Sequence, residues 1–487
     1  MNFASWSFVG LFLPLVLGAF LLIRGKRDAE RRQALLIAAS LFFYGVSGAA
    51  NLAMLSASIA LNFAAGRALA SSRAGRSIRR AILWSAVIAN VGALLAYKIL
   101  ALDSRAVDGF LSAPDILIPL ALSFITFQQI GFVVATYRRS IERPNLFDYL
   151  FFVAFFPQLI LGPIVQYGHI AAQLRDGALA RVASRDVAVG LAIFVLGLSK
   201  KVLLADQMAI PVNSVFDGVL AGNRPTTLDA WFAISGFQFQ LFLDFSAYAE
   251  MAIGLGRMFG IALPINFDEP YKSVNRFDLW RRWHITFVVF MRTHVFMPLV
   301  RHWRVPPTAA IVITALLSGL WHGLGWTFVL WAIVQSAILL ALHWRGQRRR
   351  QVYPTGVAAL VWAIATTFLI TCLLGTLFRA PTLDAAEALY GALAGLGAEG
   401  PSSVVRRDWL VFTACAALIW ALPSAPRLFG KDWTAVDPRP EVPRTAAREL
   451  VPVRFRLSAR WGSACALLLL LTFFYLGESQ RFVYVQF

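Results

Sequence analysis

The sequence predicts an all-α polytopic membrane protein, and three observations predict it. The chain of 487 residues is 58% hydrophobic with a mean hydropathy of +0.65. Its apolar runs, roughly 14 to 23 residues each, match the ~20 that cross a bilayer as helix. Its basic residues collect in short loops beside those runs, where cytoplasmic charge orients spans. The net charge of +19 therefore reads as orientation and not as nucleic-acid binding. A soluble chain this long would divide into domains, but no polar linker separates two halves, so residues 1–487 read as one membrane-embedded unit.

The first run, residues 3–23, has no basic residue before it and no small-x-small cleavage pattern after it, so it is expected to remain as a helix. Arg24, Lys26, Arg27, Arg31 and Arg32 follow, which places its downstream end in the cytoplasm and the N-terminus outside. Further spans are predicted at 34–47, 52–70, 81–100 and 116–135. Arg73, Arg76, Arg79 and Arg80, then Arg138, Arg139 and Arg143, mark the cytoplasmic loops between them.

The centre is less regular. Residues 147–165 are interrupted by Pro157 and Pro163, and residues 274–299 mix Arg281, Arg282, His284 and Arg292 with Trp and Phe. Broken or polar backbone at membrane depth is tolerated where protein buries it or it lines a wet cavity, which predicts re-entrant or broken helices around an internal tunnel. Spans and re-entrant helices together should number roughly 10 to 13.

Residues 308–342 are about 52 Å long as a helix, more than one ~30 Å crossing and less than two plus a turn. Gly319, Gly323 and Gly325 sit where a turn is needed, and Arg301, Arg304 and Arg345 flank both ends. A hairpin entering from the cytoplasm would carry His322 at its apex. Arg348, Arg349 and Arg350 continue the loop after it, whereas 381–400 holds Asp384, Glu387 and Glu399 without Lys or Arg and is expected outside. A polar segment at about 424–461, with Arg427, Lys431, Arg439, Arg444, Arg448, Arg454, Arg456 and Arg460 among prolines, reads as an irregular or interfacial cytoplasmic loop. A last span, 462–476, returns the C-terminus to the outside.

His322 is the main functional candidate. No charged residue lies between Arg304 and Arg345, and an ionisable group within so long an apolar stretch marks a functional site by default. A neutral imidazole accepts a proton from a hydroxyl or thiol near physiological pH, so general base is its natural role. The structural alternative is a core histidine donating to a carbonyl. Trp321 beside it belongs either to an interface belt or to a substrate path.

In Trp280-Arg281-Arg282-Trp283-His284 a second histidine follows two arginines suited to phosphate-bearing groups, or to snorkelling from an interfacial helix. Asp244 and Glu250 lie in another apolar segment and are expected to pair with arginines or hydroxyls, Asp244 being better placed to join the site. Gln128, Gln129 and Gln158 either line a wet path or hydrogen-bond between helices. His169, His294, His302 and His343 lie near polar boundaries and read as interfacial.

Cys372, Cys415 and Cys465 sit in apolar runs without metal-ligand spacing, so neither a disulfide nor a metal site is expected. The run from Gly254 to Gly260 misses the dinucleotide pattern, and no Walker loop or Gly-x-Ser-x-Gly elbow occurs. Gly256 and Gly260 read instead as a helix-packing pair.

Several of these stretches carry a resemblance. Ile118-Pro119-Leu120-Ala121-Leu122-Ser123-Phe124-Ile125-Thr126-Phe127-Gln128-Gln129, Phe156-Pro157-Gln158, Lys200-Lys201-Val202-Leu203-Leu204-Ala205-Asp206, Asp244-Phe245-Ser246, Trp280-Arg281-Arg282-Trp283-His284 and Ser318-Gly319-Leu320-Trp321-His322-Gly323 occur in an order that resembles the membrane-bound O-acyltransferase (MBOAT) family, in its alginate O-acetyltransferase branch. The end, Phe482-Val483-Tyr484-Val485-Gln486-Phe487, is similar to that branch too. The core motifs fall at about 114–345.

The resemblance implies a ring of helices around a central tunnel, with His322 catalytic and His284 the second histidine. Trp321, Trp283, Arg281, Arg282, Asp244, Gln128 and Gln158 are then candidates for the tunnel or the donor's mouth. It implies transfer of an acetyl group from cytoplasmic acetyl-CoA, a substrate and not a bound cofactor, towards an exported polysaccharide. A polyanionic CoA cannot cross lipid, so the acyl group must pass while the nucleotide stays at a basic mouth.

A periplasmic acetyltransferase partner, membrane lipids and an inner-membrane location go with that reading, and nucleic acid does not. The chain departs from the family at Phe287-Val288-Val289-Phe290-Met291-Arg292-Thr293-His294 and at Ala247-Tyr248-Ala249-Glu250, which bears on the acceptor. Peptidoglycan, teichoic-type or lipid-linked acceptors, or D-alanyl as the acyl group, are the enzyme alternatives. A transporter would show internal repeats with matching broken helices, and none is found.

Overall fold

The computed structural model describes residues 2–25, 27–71, 75–106, 121–346, 354, 356–438 and 453–478. Lys26, Arg73, 116–120 of one expected span, Arg348 to Arg350, Arg439, Arg444, Arg448 and the 482–487 run lie outside the described residues.

The described chain is helical, with one isolated bridge between Pro264 and Val436. In order the α-helices are α1 (Leu13–Leu22), α2 (Asp28–Gly45), α3 (Ala49–Ala70), α4 (Arg76–Ala106), α5 (Leu122–Tyr137), α6 (Leu146–Ala154) and α7 (Phe156–Leu159). They continue as α8 (Tyr167–Arg175), α9 (Ser184–Ser199), α10 (Asp206–Leu220), α11 (Thr227–Met258), α12 (Arg276–Arg282), α13 (Ile285–Met291) and α14 (Met297–Arg301). The last are α15 (Pro307–His322), α16 (Trp326–Trp344), α17 (Val357–Arg379), α18 (Leu383–Gly391), α19 (Arg406–Trp420), α20 (Ala425–Phe429) and α21 (Ala459–Tyr475). π-turns precede α1 at Ser7–Phe12 and join α9 to α10 at Lys200–Ala205 and α13 to α14 at Arg292–Phe296.

Among the described residues five helices are long and apolar enough to cross a membrane, and up to seven if each sharply bent pair counts as one span. Four shorter apolar helices, Ser7–Leu22, Leu122–Tyr137, Pro307–His322 and Ala459–Tyr475, accompany them. The chain is thus a polytopic helical membrane protein.

It packs as two compact units, and two of the boundaries between them fall inside helices α9 and α11. The first holds Met1–Phe194, Met251–Pro264 and Thr434–Val436; the second holds Val195–Glu250, Ile265–Trp433 and Asp437–Phe487.

In the first unit two arginines expected to flank spans are buried. Arg32 donates to the carbonyls of Phe20, Ile23 and Leu179, and Arg79 to those of Leu69 and Tyr137. They cap helix ends whose last carbonyls have no partner within the helix. The proline-broken segment is broken as expected: α6 starts on an Asn145 cap, which accepts from Phe147 N at 2.8 Å, and stops at Phe155, two residues before Pro157.

The expected Gly256–Gly260 packing pair is not one. Gly260 lies beyond the end of α11 with φ +83°, and Ile261 N donates to Gly256 O at 2.8 Å. That is the left-handed stop of a helix, where glycine has no steric penalty. The close helix contact is two residues before Gly256: a Cβ on Gly254 would lie 2.6 Å from Gly190 O, and one on Gly190 would lie 2.6 Å from Gly254 O.

In the second unit the 308–342 segment forms the predicted hairpin. α15 and α16 are joined by Gly323–Gly325 and pack so closely that a Cβ on Gly319 would lie 2.7 Å from Phe328 O. At ~1.5 Å per residue the limbs are about 24 Å and 28 Å long, each comparable with the ~30 Å hydrocarbon core. Trp303 and Trp344 are exposed beside the basic ends, as interface anchors are.

The aromatic-basic segment at 274–299 bends by 108° between α12 and the run Ile285–Arg301. The polar segment after Pro423 carries α20 and a single turn at Gly430–Asp432, and Phe455 N donates back to Leu428 O at 2.7 Å.

Candidate active site

His322 is the last residue of α15 and is 8% exposed. Its ring packs edge-on against Phe378 of α17 at 4.8 Å between centroids, against Trp331 of α16 at 6.0 Å and against its neighbour Trp321 at 4.6 Å. It opens on a cavity of about 60 Å³, also lined by Gln238 of α11, Arg276 and Trp280 of α12, Trp283, and Thr371 and Gly375 of α17. A Cβ on Gly323 would lie 2.2 Å from the Phe328 ring, so a larger residue directly after His322 would have to displace that ring.

His284 sits at the 108° bend, 1% exposed, with φ 44° and ψ 51°. Left-handed backbone is uncommon for a residue with a side chain, and such strain concentrates at functional sites. The bend is fastened through Asn266. Its carbonyl oxygen accepts from Ile285 N at 2.9 Å, and its side-chain Oδ1 accepts from Thr286 N at 3.2 Å and Thr286 Oγ1 at 2.9 Å.

His284 Nδ1 lies 3.1 Å from the same Oδ1. An acceptor already fixed by two donors makes Nδ1 the proton-bearing nitrogen, so a neutral His284 ring carries its lone pair on Nε2.

The two histidines share neighbours. The Phe287 ring stacks on His284 at 5.0 Å, on Trp321 at 4.6 Å, and reaches His322 at 5.8 Å. Trp321 lies 6.3 Å from His284. Phe287 falls where the sequence departs from the expected family run, so that departure is part of the wall of the site.

Gln238 is 2% exposed, and the Tyr271 hydroxyl lies 2.9 Å from its main-chain carbonyl oxygen and 3.3 Å from its Oε1. Arg276 is 4% exposed and follows the Asn275 cap of α12. Its Nη1 donates to Thr371 Oγ1 at 2.7 Å, its Nη2 donates to Gln335 Oε1, and its guanidinium packs over the Trp280 ring at 5.6 Å.

Residues 133–376 match MBOAT, the membrane-bound O-acyltransferase family. The chain is also 33% identical over 422 residues to the peptidoglycan O-acetyltransferase of Helicobacter pylori, covering 80% of this chain and 79% of that protein. It belongs to the MBOAT family. Similarity extends to a probable alginate O-acetylase AlgI of Pseudomonas aeruginosa, 33% identical over 82% of this chain and 75% of that one. The teichoic acid D-alanyltransferase of Bacillus subtilis is 23% identical over 52% of this chain and 66% of its own length. This MBOAT chain is an acyltransferase.

Within it, His322, His284, Trp321 and Trp283 come together in the second unit. Arg282, which follows Arg281 in α12, is 2% exposed, and its Nε donates to Asp278 at 2.9 Å and its Nη1 to Asp268 O at 3.3 Å, so its guanidinium ties the bend. Arg281 is half-buried at the end of α12.

Asp244 pairs with a lysine where arginine or hydroxyl partners were expected: Lys201 Nζ lies 3.0 Å from it and also binds Asp206. Glu250 pairs with Lys200 at 2.6 Å. Gln128 and Gln158 are buried in the first unit, on α5 and α7. His169 is half-buried, with Nε2 2.9 Å from Ala262 O.

Gln238 and Arg276 were not singled out from the sequence. Each is a polar residue within or beside an apolar run, the same signal that marked His322, but only the fold brings them to one cavity.

Proposed function

We propose that this acyltransferase passes an acetyl group from cytoplasmic acetyl-CoA across the inner membrane to hydroxyls of an exported or cell-surface polysaccharide, with His322 as general base. The observation that carries the reading is the small cavity at His322. Water needs only ~10–15 Å³ of such space, so the cavity of about 60 Å³ has room for a two-carbon acyl group. Phe378 and Trp331, which pack on the His322 ring, line that cavity. A ring nitrogen of His322 takes the acceptor's proton as that oxygen attacks the thioester carbonyl. His284, held by Asn266 and sharing Phe287 and Trp321 with His322, orients the reacting groups from the other side.

The relatives' names support an acetyl group and a glycan acceptor. Peptidoglycan is a second reading of the acceptor, because the relative named for it is as similar as the one named for alginate. D-alanyl transfer has less support, since the relatives named for it align over about half of this chain. We further propose that the nucleotide of the donor stays on the cytoplasmic side near Arg281, and that a periplasmic acetyltransferase partner completes delivery.

The test follows label from acetyl-CoA into surface glycan in cells carrying the wild-type chain or His322→Ala at matched abundance. Loss of label in the variant is expected. Full retention overturns the role of His322, and the labelled fraction identifies the acceptor as exopolysaccharide or peptidoglycan.

A further inference from the structure

We propose that Gln238 Nε2, Trp280 Nε1 and Arg276 Nε form the donor set that holds the acyl oxyanion during transfer at His322. All three residues line the cavity that His322 lines. Among the described residues, none of these three N–H donors has a hydrogen-bond partner, and each atom is fully buried. Buried donors are nearly always satisfied, and three orphans around one small cavity beside an imidazole call for an acceptor that arrives with the substrate.

Three further features aim the set. The Tyr271 hydroxyl lies 2.9 Å from Gln238 O and 3.3 Å from its Oε1, which leaves Nε2 as the amide end away from that hydroxyl. Gly375 leaves the room that amide occupies, since a Cβ there would lie 1.8 Å from Nε2. Arg276 is a buried cation whose contacts are neutral: Thr371, Gln335 and the Trp280 face. Among the described residues no carboxylate pairs with it. A buried charge without a counter-ion is costly at rest and favours any step that develops negative charge beside it.

The inference rests on His322 acting as base on a thioester donor. As the imidazole takes the acceptor's hydroxyl proton, the oxygen's electron pair bonds to the carbonyl carbon and the C=O π pair moves onto the carbonyl oxygen. The three N–H groups receive that oxyanion. Its collapse re-forms C=O and breaks C–S, and the departing thiolate recovers the proton from His322. Donors that bind the oxyanion more strongly than the ground-state carbonyl raise kcat and leave KM nearly unchanged.

The experiment uses membrane vesicles containing the full chain and measures transfer of labelled acetyl from acetyl-CoA into the glycan fraction as the donor is titrated. Gln238→Glu keeps the shape and the Tyr271 contact but removes the donor, and Trp280→Phe keeps a ring and removes the N–H. Each is expected to lower kcat by ~10²–10³-fold, with KM for acetyl-CoA within about threefold and a wild-type thermal melt. If both variants keep kcat within about threefold while His322→Ala is inactive, the donor set is wrong and the base stands. If His322→Ala stays active while both variants lose kcat, the base reading falls and the donor set survives. A fall in KM-dependent rate alone, with kcat intact, assigns these residues to ground-state binding and overturns the inference.

Discussion

Gly375 and Gln238 occupy one volume: a methyl group on the glycine would lie 1.8 Å from the amide nitrogen of the glutamine. The missing side chain of α17 thus leaves room for the end of the Gln238 side chain of α11, and both residues line the cavity that His322 lines. Gly375→Ala is expected to push the amide out of place without removing any polar group. Overpacking of this kind costs about 1–3 kcal/mol. The expected outcome is a transfer rate lowered by about tenfold or more, beyond what the loss of folded protein explains. A variant that melts lower but turns over normally per folded molecule would show that the amide's position is immaterial.

What the sequence made legible follows from the range of each interaction. The hairpin was readable because length, three glycines and flanking arginines are all local, and the place of His322 at its turn follows from the same local features. The break at Pro157 and the disorderly polarity before Arg292 were local as well. Gly260 was misread because a helix-packing glycine and a helix-stopping glycine have the same spacing, and only the backbone dihedral separates them. Arg282 offered its charge to a ligand in the sequence, yet Asp278 stands one turn before it and takes that charge. Gln238, Arg276 and Gly375 lie on three different helices, α11, α12 and α17, so their meeting is a property of the fold.

Asn266 Oδ1 gathers His284 Nδ1, Thr286 N and Thr286 Oγ1. Asn266→Ala leaves buried donors without their acceptor, at a cost of about 2 to 3 kcal/mol, and frees the His284 ring to turn. Asn266→Asp keeps the acceptor oxygen. The alanine variant is expected to melt lower and lose activity, and the aspartate variant to retain more of both. Thermal unfolding in detergent, read beside the transfer rate, tests this; equal behaviour of the two variants would deny the acceptor its role.

Lys201 stands between two buried carboxylates, Asp206 and Asp244, in the π-turn that joins α9 to α10. Removing one member of a buried ion cluster leaves uncompensated charge and costs about 3–5 kcal/mol. Lys201→Met is expected to accumulate poorly and melt well below wild type. Adding Asp206→Asn and Asp244→Asn to the same chain should restore much of the loss, because neutral amides no longer need the lysine. Recovery of the fold without recovery of transfer would place Asp244 in the chemistry; recovery of both assigns the cluster to stability.

His284 combines a left-handed backbone with a ring in the site, and two substitutions separate these contributions. His284→Gly removes the ring and relieves the backbone, since glycine meets no penalty at positive φ. His284→Ala removes the same ring and keeps a Cβ that costs roughly 1–2 kcal/mol in this conformation. The glycine variant is therefore expected to be the more stable of the two by about 1 kcal/mol, because its larger loss of chain entropy offsets part of the relief. Both should lose transfer activity to the same degree. If glycine instead restored activity that alanine lacks, the residue would serve the bend alone. Equal loss at unequal stability leaves the imidazole, with Nδ1 directed at Asn266 and Nε2 carrying the lone pair, as the part that the reaction uses.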